Sequence, residues 1–149
     1  MPDAFLHRLR TMDLDDLGQP VRYVTAQGGE PCRDALRRAA PVEPLLLASF
    51  SPFALASPYR ENGPVFVRAE GEATAASENL FTDEPDAYFG ARLVLRAYAP
   101  DESILDAALV EREEAVSAAT AFLARPGVAF VHARFPTYGC FALRLEAGA

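Results

Sequence analysis

The chain contains no lysine and no tryptophan, and it has two cysteines, two histidines and two methionines among 149 residues. Each scarcity excludes something. Two histidines, His7 and His132, are too few for a His-rich metal centre, so neither a metal nor another cofactor is expected. Cys32 and Cys140 lie far apart without C-x-x-C spacing, which removes a local zinc or redox motif and leaves two thiols in a reducing compartment. No apolar run approaches the roughly 20 residues that span a bilayer. The opening Met1-Pro2-Asp3-Ala4-Phe5 lacks the basic and apolar regions of a signal peptide. A cytoplasmic protein without a membrane partner is the expectation. With 14 basic against 21 acidic residues and a net charge of −7, the chain repels phosphate backbones, so nucleic acid is not an expected partner. G-x-G-x-x-G, the phosphate loop, the G-x-S-x-G elbow and H-E-x-x-H are all missing.

What is present reads as one domain over 1–149, long enough to bury roughly 68–70% of its unfolded surface. The run Leu45–Phe50 is apolar or small without alternation, which describes a central strand covered on both faces. A proline-punctuated loop over 51–63 follows, and Val65-Phe66-Val67 begins another strand. Ala4–Arg10 alternates weakly, as a strand would, and Asp13–Gly18 reads as one helical turn stopped by Gly18 and Pro20. Val21–Thr25, Ala91–Tyr98 and Ser103–Val110 are strand candidates. Cys32–Ala40 is open between a helix and one arm of a hairpin.

Residues 71–90 are acidic, aperiodic and rich in small side chains, an irregular and mobile excursion. One main helix is expected at about 111–124, with Val116, Ala119, Thr120 and Leu123 as its inner stripe. Val128–Arg134 and Cys140–Glu146 form a C-terminal β-hairpin. The fold class is α+β with a mostly antiparallel sheet.

The hairpin carries the sharpest chemical expectation. Phe130, His132 and Arg134 alternate with Ala129, Val131 and Ala133, and on the last strand Cys140, Ala142 and Arg144 alternate with Phe141, Leu143 and Leu145. A one-residue slip would exchange faces, so apolar matching selects His132 opposite Ala142 and Arg134 opposite Cys140. That register puts Cys140 about 5 Å from Arg134 and roughly 7–8 Å from His132, where a guanidinium depresses a thiol pKa. Cys140, His132 and Cys32 are therefore the catalytic candidates. Tyr59, Arg60, Glu61, Arg134 and Tyr138 are the ligand-binding candidates, and no metal-binding residue is assigned.

Plainer readings stand beside these. A cysteine is commonly a small buried hydrophobe, and a strand histidine is commonly a packed or hydrogen-bonded residue. The segment Tyr59-Arg60-Glu61 reads equally as a self-packed loop. Arg68, Arg92, Arg96, Arg134 and Arg144 fall on the polar faces of their strands, either as a cationic surface for an anion or as partners of the surplus Asp and Glu. Asp13, Asp15 and Asp16 read as a solvated helix start.

Pro31-Cys32-Arg33, Glu43 before Leu45-Leu46-Leu47, Pro58-Tyr59-Arg60, Gly63–Arg68, Leu95–Tyr98, His132 and Gly139-Cys140-Phe141 occur in this order from about residue 31 to 146. In these blocks the chain resembles the bacterial proteins grouped as domain of unknown function 1203. The resemblance implies that Cys32, the Pro58–Arg60 loop, His132 and Gly139-Cys140 form one recurring pattern, and it favours a strand at Cys32–Leu36. It implies no reaction. The chain departs at Arg134-Phe135, where similar proteins tend to carry His-Asn.

Three functions follow from this reading. One is a cysteine-dependent enzyme with a small-anion site at Cys140 and the Pro58–Pro64 loop. Another is a non-catalytic module that binds a small anionic molecule or a peptide. The last is an interaction protein, with a homodimer left open, whose cysteines only pack.

Overall fold

A computed structural model of the protein describes residues 1–75, 78–84 and 87–148. Among the described residues there are two compact units, interleaved along the chain. The first takes Met1–Ser51, Asn62–Leu80 and Glu84–Tyr88, and the second Pro52–Glu61, Phe81–Asp83 and Phe89–Ala149.

The first unit opens with helix α1 (Asp3–Met12), where a strand was expected. Its buried residues Phe5, Leu6 and Leu9 recur at i, i+1 and i+4, a helical spacing that the weak alternation of the segment concealed. Pro2 precedes the first turn, while Asp3 in that turn and Arg10 in the last carry charges suited to the helix dipole.

The strands β1 (Arg22–Thr25), β2 (Pro31–Cys32), β3 (Arg37–Arg38), β4 (Pro44–Phe50) and β5 (Gly63–Arg68) form a sheet in the order β1-β4-β5-β2-β3. As expected, β4 is central, with Leu45, Leu46, Ala48 and Phe50 buried. Cys32–Ala40 is a tight hairpin, Pro31 facing Arg38, and β2 runs parallel to β5 at Cys32 and Phe66. The other pairings of both units are antiparallel.

Asp13–Gly18 is a turn closed by a bridge between Leu14 and Pro20, and Asp15 in it is buried instead of solvated. Its carboxylate accepts from the amides of Leu17 and Gln19 (both 2.9 Å) and of Ser49 (3.1 Å), while Asp16 accepts from Ser51 N at 2.8 Å. Paired backbone donors explain why these acids tolerate enclosure.

Of the excursion at 71–90, residues 76, 77, 85 and 86 lie outside the described set. Glu78–Phe81 forms a 3-10 turn, Thr74 N donates to Asp34 O at 2.6 Å, and Tyr88 and Phe89 are buried.

The second unit contains β6 (Arg92–Tyr98), β7 (Ile104–Glu111), β8 (Phe130–Arg134) and β9 (Phe141–Leu145), in the order β7-β6-β8-β9. Helix α2 (Ala115–Leu123) follows a 3-10 turn at Arg112–Glu114, so the helix begins later than expected. Its buried residues are Ala115 and Ala119, while Thr120 is exposed and donates its hydroxyl to Val116 O at 2.8 Å. Leu93, Leu95, Ala97, Val131, Ala133 and Leu143 are the buried apolar residues on the other side of the strand alternation.

The hairpin keeps neither its expected register nor every expected face: His132 and Arg144 share a side as expected, but Phe141, expected beside Leu143 and Leu145, pairs with Arg134 and lies 5.1 Å from the His132 ring. His132 lies opposite Arg144, Ala133 opposite Leu143 and Arg134 opposite Phe141, with a bulge between Ala133 and Arg134. Side-chain alternation has period two, so it cannot distinguish the two-residue slip at His132, and it does not anticipate the bulge that shifts Arg134 by one residue to Phe141. Cys140 therefore precedes the strand instead of facing Arg134 within it.

Candidate functional site

The site is built on one face of the four-stranded sheet. Arg96 on β6 pairs with His132 on β8, and His132 pairs with Arg144 on β9, so three basic side chains form a row across three strands. Arg134 lies two residues further along β8 on the same face, opposite Val94. All five residues of β8 are buried, the pattern of an inner strand covered on both sides.

Four rings surround His132: Tyr98 at 4.8 Å between centroids, Phe130 at 5.0 Å, Phe141 at 5.1 Å and Phe53 at 5.2 Å. His132 is fully enclosed, and neither ring nitrogen has a hydrogen-bond partner among the described residues. Burial, reinforced by the nearby charges of Arg144 and Arg96, pushes its pKa down to about 3. At neutral pH the ring is uncharged and packs as an aromatic. Burial also raises the Tyr98 phenol, an effect that the neighbouring Arg96 partly offsets.

Two loops meet Arg134. The segment 52–61 is anchored at its start by Glu102, a buried residue whose Oε1 accepts from Ala54 N (2.8 Å) and whose Oε2 accepts from Leu55 N (2.9 Å). At its end, Glu61 is ion-paired with Arg134 and lies 3.8 Å from Arg96 Nη1. The second loop is the hairpin connection 135–140, closed by Gly139 N to Phe135 O (2.8 Å) and Phe135 N to Cys140 O (3.1 Å). Gly139 has φ +72°, a conformation that costs a Cβ-bearing residue energy although space there is open. Arg134 Nη1 donates to Gly139 O at 2.9 Å. One guanidinium thus holds both loops. Burial lowers the Arg134 pKa.

The residues singled out from sequence are distributed as follows. Glu61, His132, Arg134 and Cys140 share the second unit and this end of its sheet, with Cys140 half-buried. Tyr59 and Tyr138 are exposed on the two loops that Arg134 holds, Tyr138 at 88%. Arg60 turns back on its own loop, with Nη1 3.4 Å from Ala54 O and 3.5 Å from Leu55 O.

Cys32 belongs to the first unit and is fully buried among Ala26, Ala35, Ala39 and Leu45. Burial, with the charges of Asp34 and Glu43, pushes its thiol up to about 11. The Pro58–Pro64 loop divides between the units, since Asn62 onward belongs to the first. Phe53, Tyr98 and Glu102 were not among the site candidates, although Tyr98 lay in the Leu95–Tyr98 block. An isolated aromatic has no signature, and Glu102 gains its role from a left-handed backbone (φ +65°) after a Pro-Asp pair. Among the described residues no group of three or more His, Cys, Asp or Glu is placed to hold a metal ion. No helix among them is long and apolar enough to cross a membrane.

The chain belongs to the family described as protein of unknown function (DUF1203), whose model matches residues 29–147. No curated protein and no solved structure matches it.

Proposed function

We propose that the second unit binds a small anionic molecule at Arg134 and Arg96, between the loop 52–61 and the hairpin connection, without catalysing its conversion. The observation that carries this reading is the cationic face itself: Arg96, Arg134 and Arg144 project from three adjacent strands of an otherwise acidic chain. Arg144 is partly engaged, stacked 3.7 Å from the Phe130 ring and bonded to Glu146, whereas Arg134 and Arg96 share the single carboxylate of Glu61. The neutral, ring-enclosed His132 is poorly suited to carry a proton, which favours binding over acid–base catalysis.

The test is a thermal-shift screen with acetate, inorganic phosphate and sulfate at fixed ionic strength. Anions are expected to stabilise the wild type and Cys140→Ser, and to lose their effect on Arg96→Ala. Absence of stabilisation by every anion overturns the reading.

A second reading is favoured by one specific feature, the half-buried Cys140 in the hairpin connection that Arg134 holds through Gly139 O. It is nucleophilic thiol chemistry on a bound anion. Anion binding that vanishes in Cys140→Ser, with rapid alkylation of that thiol, would favour it. A cytoplasmic setting suits either reading, with both cysteines as thiols.

A further inference from the structure

The Arg134 guanidinium has two usable edges. Nη1 is spent on Gly139 O. The other edge, Nε with Nη2, is the pair of parallel donors that grips a carboxylate through two hydrogen bonds. Nη2 is ion-paired with Glu61 Oε1, yet Nε, Nη2 and Glu61 Oε1 are all buried without a hydrogen-bond partner among the described residues. An unpaired donor on a buried charged group carries a substantial desolvation cost. The Glu61 side chain remains 42% exposed, against 5% for Arg134, so it has a path to solvent that the arginine lacks. The far end of its loop is pinned independently by Glu102.

We propose that Glu61 is an internal place-holder for the carboxylate of a ligand, and that binding exchanges one carboxylate for the other at Arg134. This rests on the anion-binding reading and names its ligand class. The ligand's two oxygens would meet Nε and Nη2 together, supplying the hydrogen bonds that both donors lack beside Glu61, and the Arg96 charge would serve the incoming anion. Glu61 turns outward when displaced. A carboxylate is favoured over phosphate because the edge presents two coplanar donors, and a tetrahedral dianion brings further oxygens for which that edge has no donor.

The experiment is an amide NMR titration of the wild type, Glu61→Gln, Arg96→Ala and Arg134→Lys with acetate and separately with inorganic phosphate at constant ionic strength. Removing the charge of the competitor raises the population of the open site, so Glu61→Gln is expected to bind acetate about tenfold tighter than the wild type. Its gain for phosphate should be smaller, and Arg134→Lys should lose the two-donor grip and bind acetate weakly. Equal acetate affinity in wild type and Glu61→Gln, with binding still abolished by Arg96→Ala, overturns the place-holder and leaves the anion site standing. A larger gain for phosphate than for acetate overturns the ligand class. No binding of either anion by either protein overturns the place-holder and the anion-binding reading together. Should Arg134→Lys fail to fold by circular dichroism, the comparison of wild type with Glu61→Gln decides alone.

Discussion

His132 stands directly across the hairpin from Arg144, on the face where Arg96 flanks it from the other side, and its two ring nitrogens are buried without a hydrogen-bond partner among the described residues. The folded pKa, about 3, lies below the ordinary 6.5. An unfolded chain therefore takes up a proton that the folded chain refuses. The stability contributed by the neutral ring is complete above pH 6.5 and is lost as pH falls toward 3, at up to about 1.4 kcal/mol per pH unit.

Urea unfolding at pH 7 and pH 5, a range above most carboxylate titration, should show the wild type weakening at the lower pH. His132→Phe should remove most of that slope. Because no hydrogen bond is lost, the same substitution should cost less than about 1.5 kcal/mol at pH 7. An unchanged pH slope in His132→Phe would show that other groups set it.

Asp34 is fully buried in the first unit, and its partners come from distant parts of the chain. Oδ1 accepts from the Arg68 amide (3.0 Å), and Oδ2 accepts from Arg68 Nε (3.0 Å) and Arg10 Nη2 (2.9 Å). Removing one member of a buried charged cluster strands the others, so Asp34→Ala should destabilise by about 3–5 kcal/mol. Chemical denaturation measures this, and a loss below about 1 kcal/mol would contradict the arrangement.

The two cysteines should differ in reactivity. Cys32 is enclosed with its thiol pushed up to about 11, whereas Cys140 is half-buried at the hairpin loop. Thiolate fraction and access both govern alkylation. Iodoacetamide labelling followed by peptide mass spectrometry should find Cys140 modified in the native protein and Cys32 modified only in denaturant. Rapid native labelling of Cys32 would contradict its burial.

Glu102 uses both carboxylate oxygens on consecutive amides of Ala54 and Leu55. An amide side chain keeps one acceptor oxygen, so Glu102→Gln should cost about 1–3 kcal/mol and release one of the two bonds. Hydrogen exchange at Ala54 and Leu55 should accelerate in the variant. Unaltered protection there would mean that the loop is held by other contacts.

Local patterns made much of the second unit legible. Alternation assigned His132 and Arg144 to a shared side correctly and misplaced Phe141, which a bulge carries to that side as well. Arg134 and Glu61 were both visible as candidates. Their pairing was not, because 73 positions separate them and no local rule joins a loop carboxylate to a strand guanidinium. The register failed for a related reason: the two-residue shift at His132 leaves its face unchanged, while the bulge at Ala133/Arg134, which no local pattern announces, brings Phe141 to the Arg134 side. At the N-terminus a helix won over a weak alternation through the burial of Phe5, Leu6 and Leu9, a tertiary effect.

By itself the sequence determined the α+β class, the central strand Leu45–Phe50, the shared side of His132 and Arg144 and the family, all of which depend on residue order over short spans. Only the tertiary structure decided that Asp15, Asp34 and Glu102 are enclosed acids, that His132 is a neutral ring among rings, and that Arg134 meets Glu61. The physical reason is that a buried polar group is tolerated according to the partners that reach it, and here those partners come from remote segments.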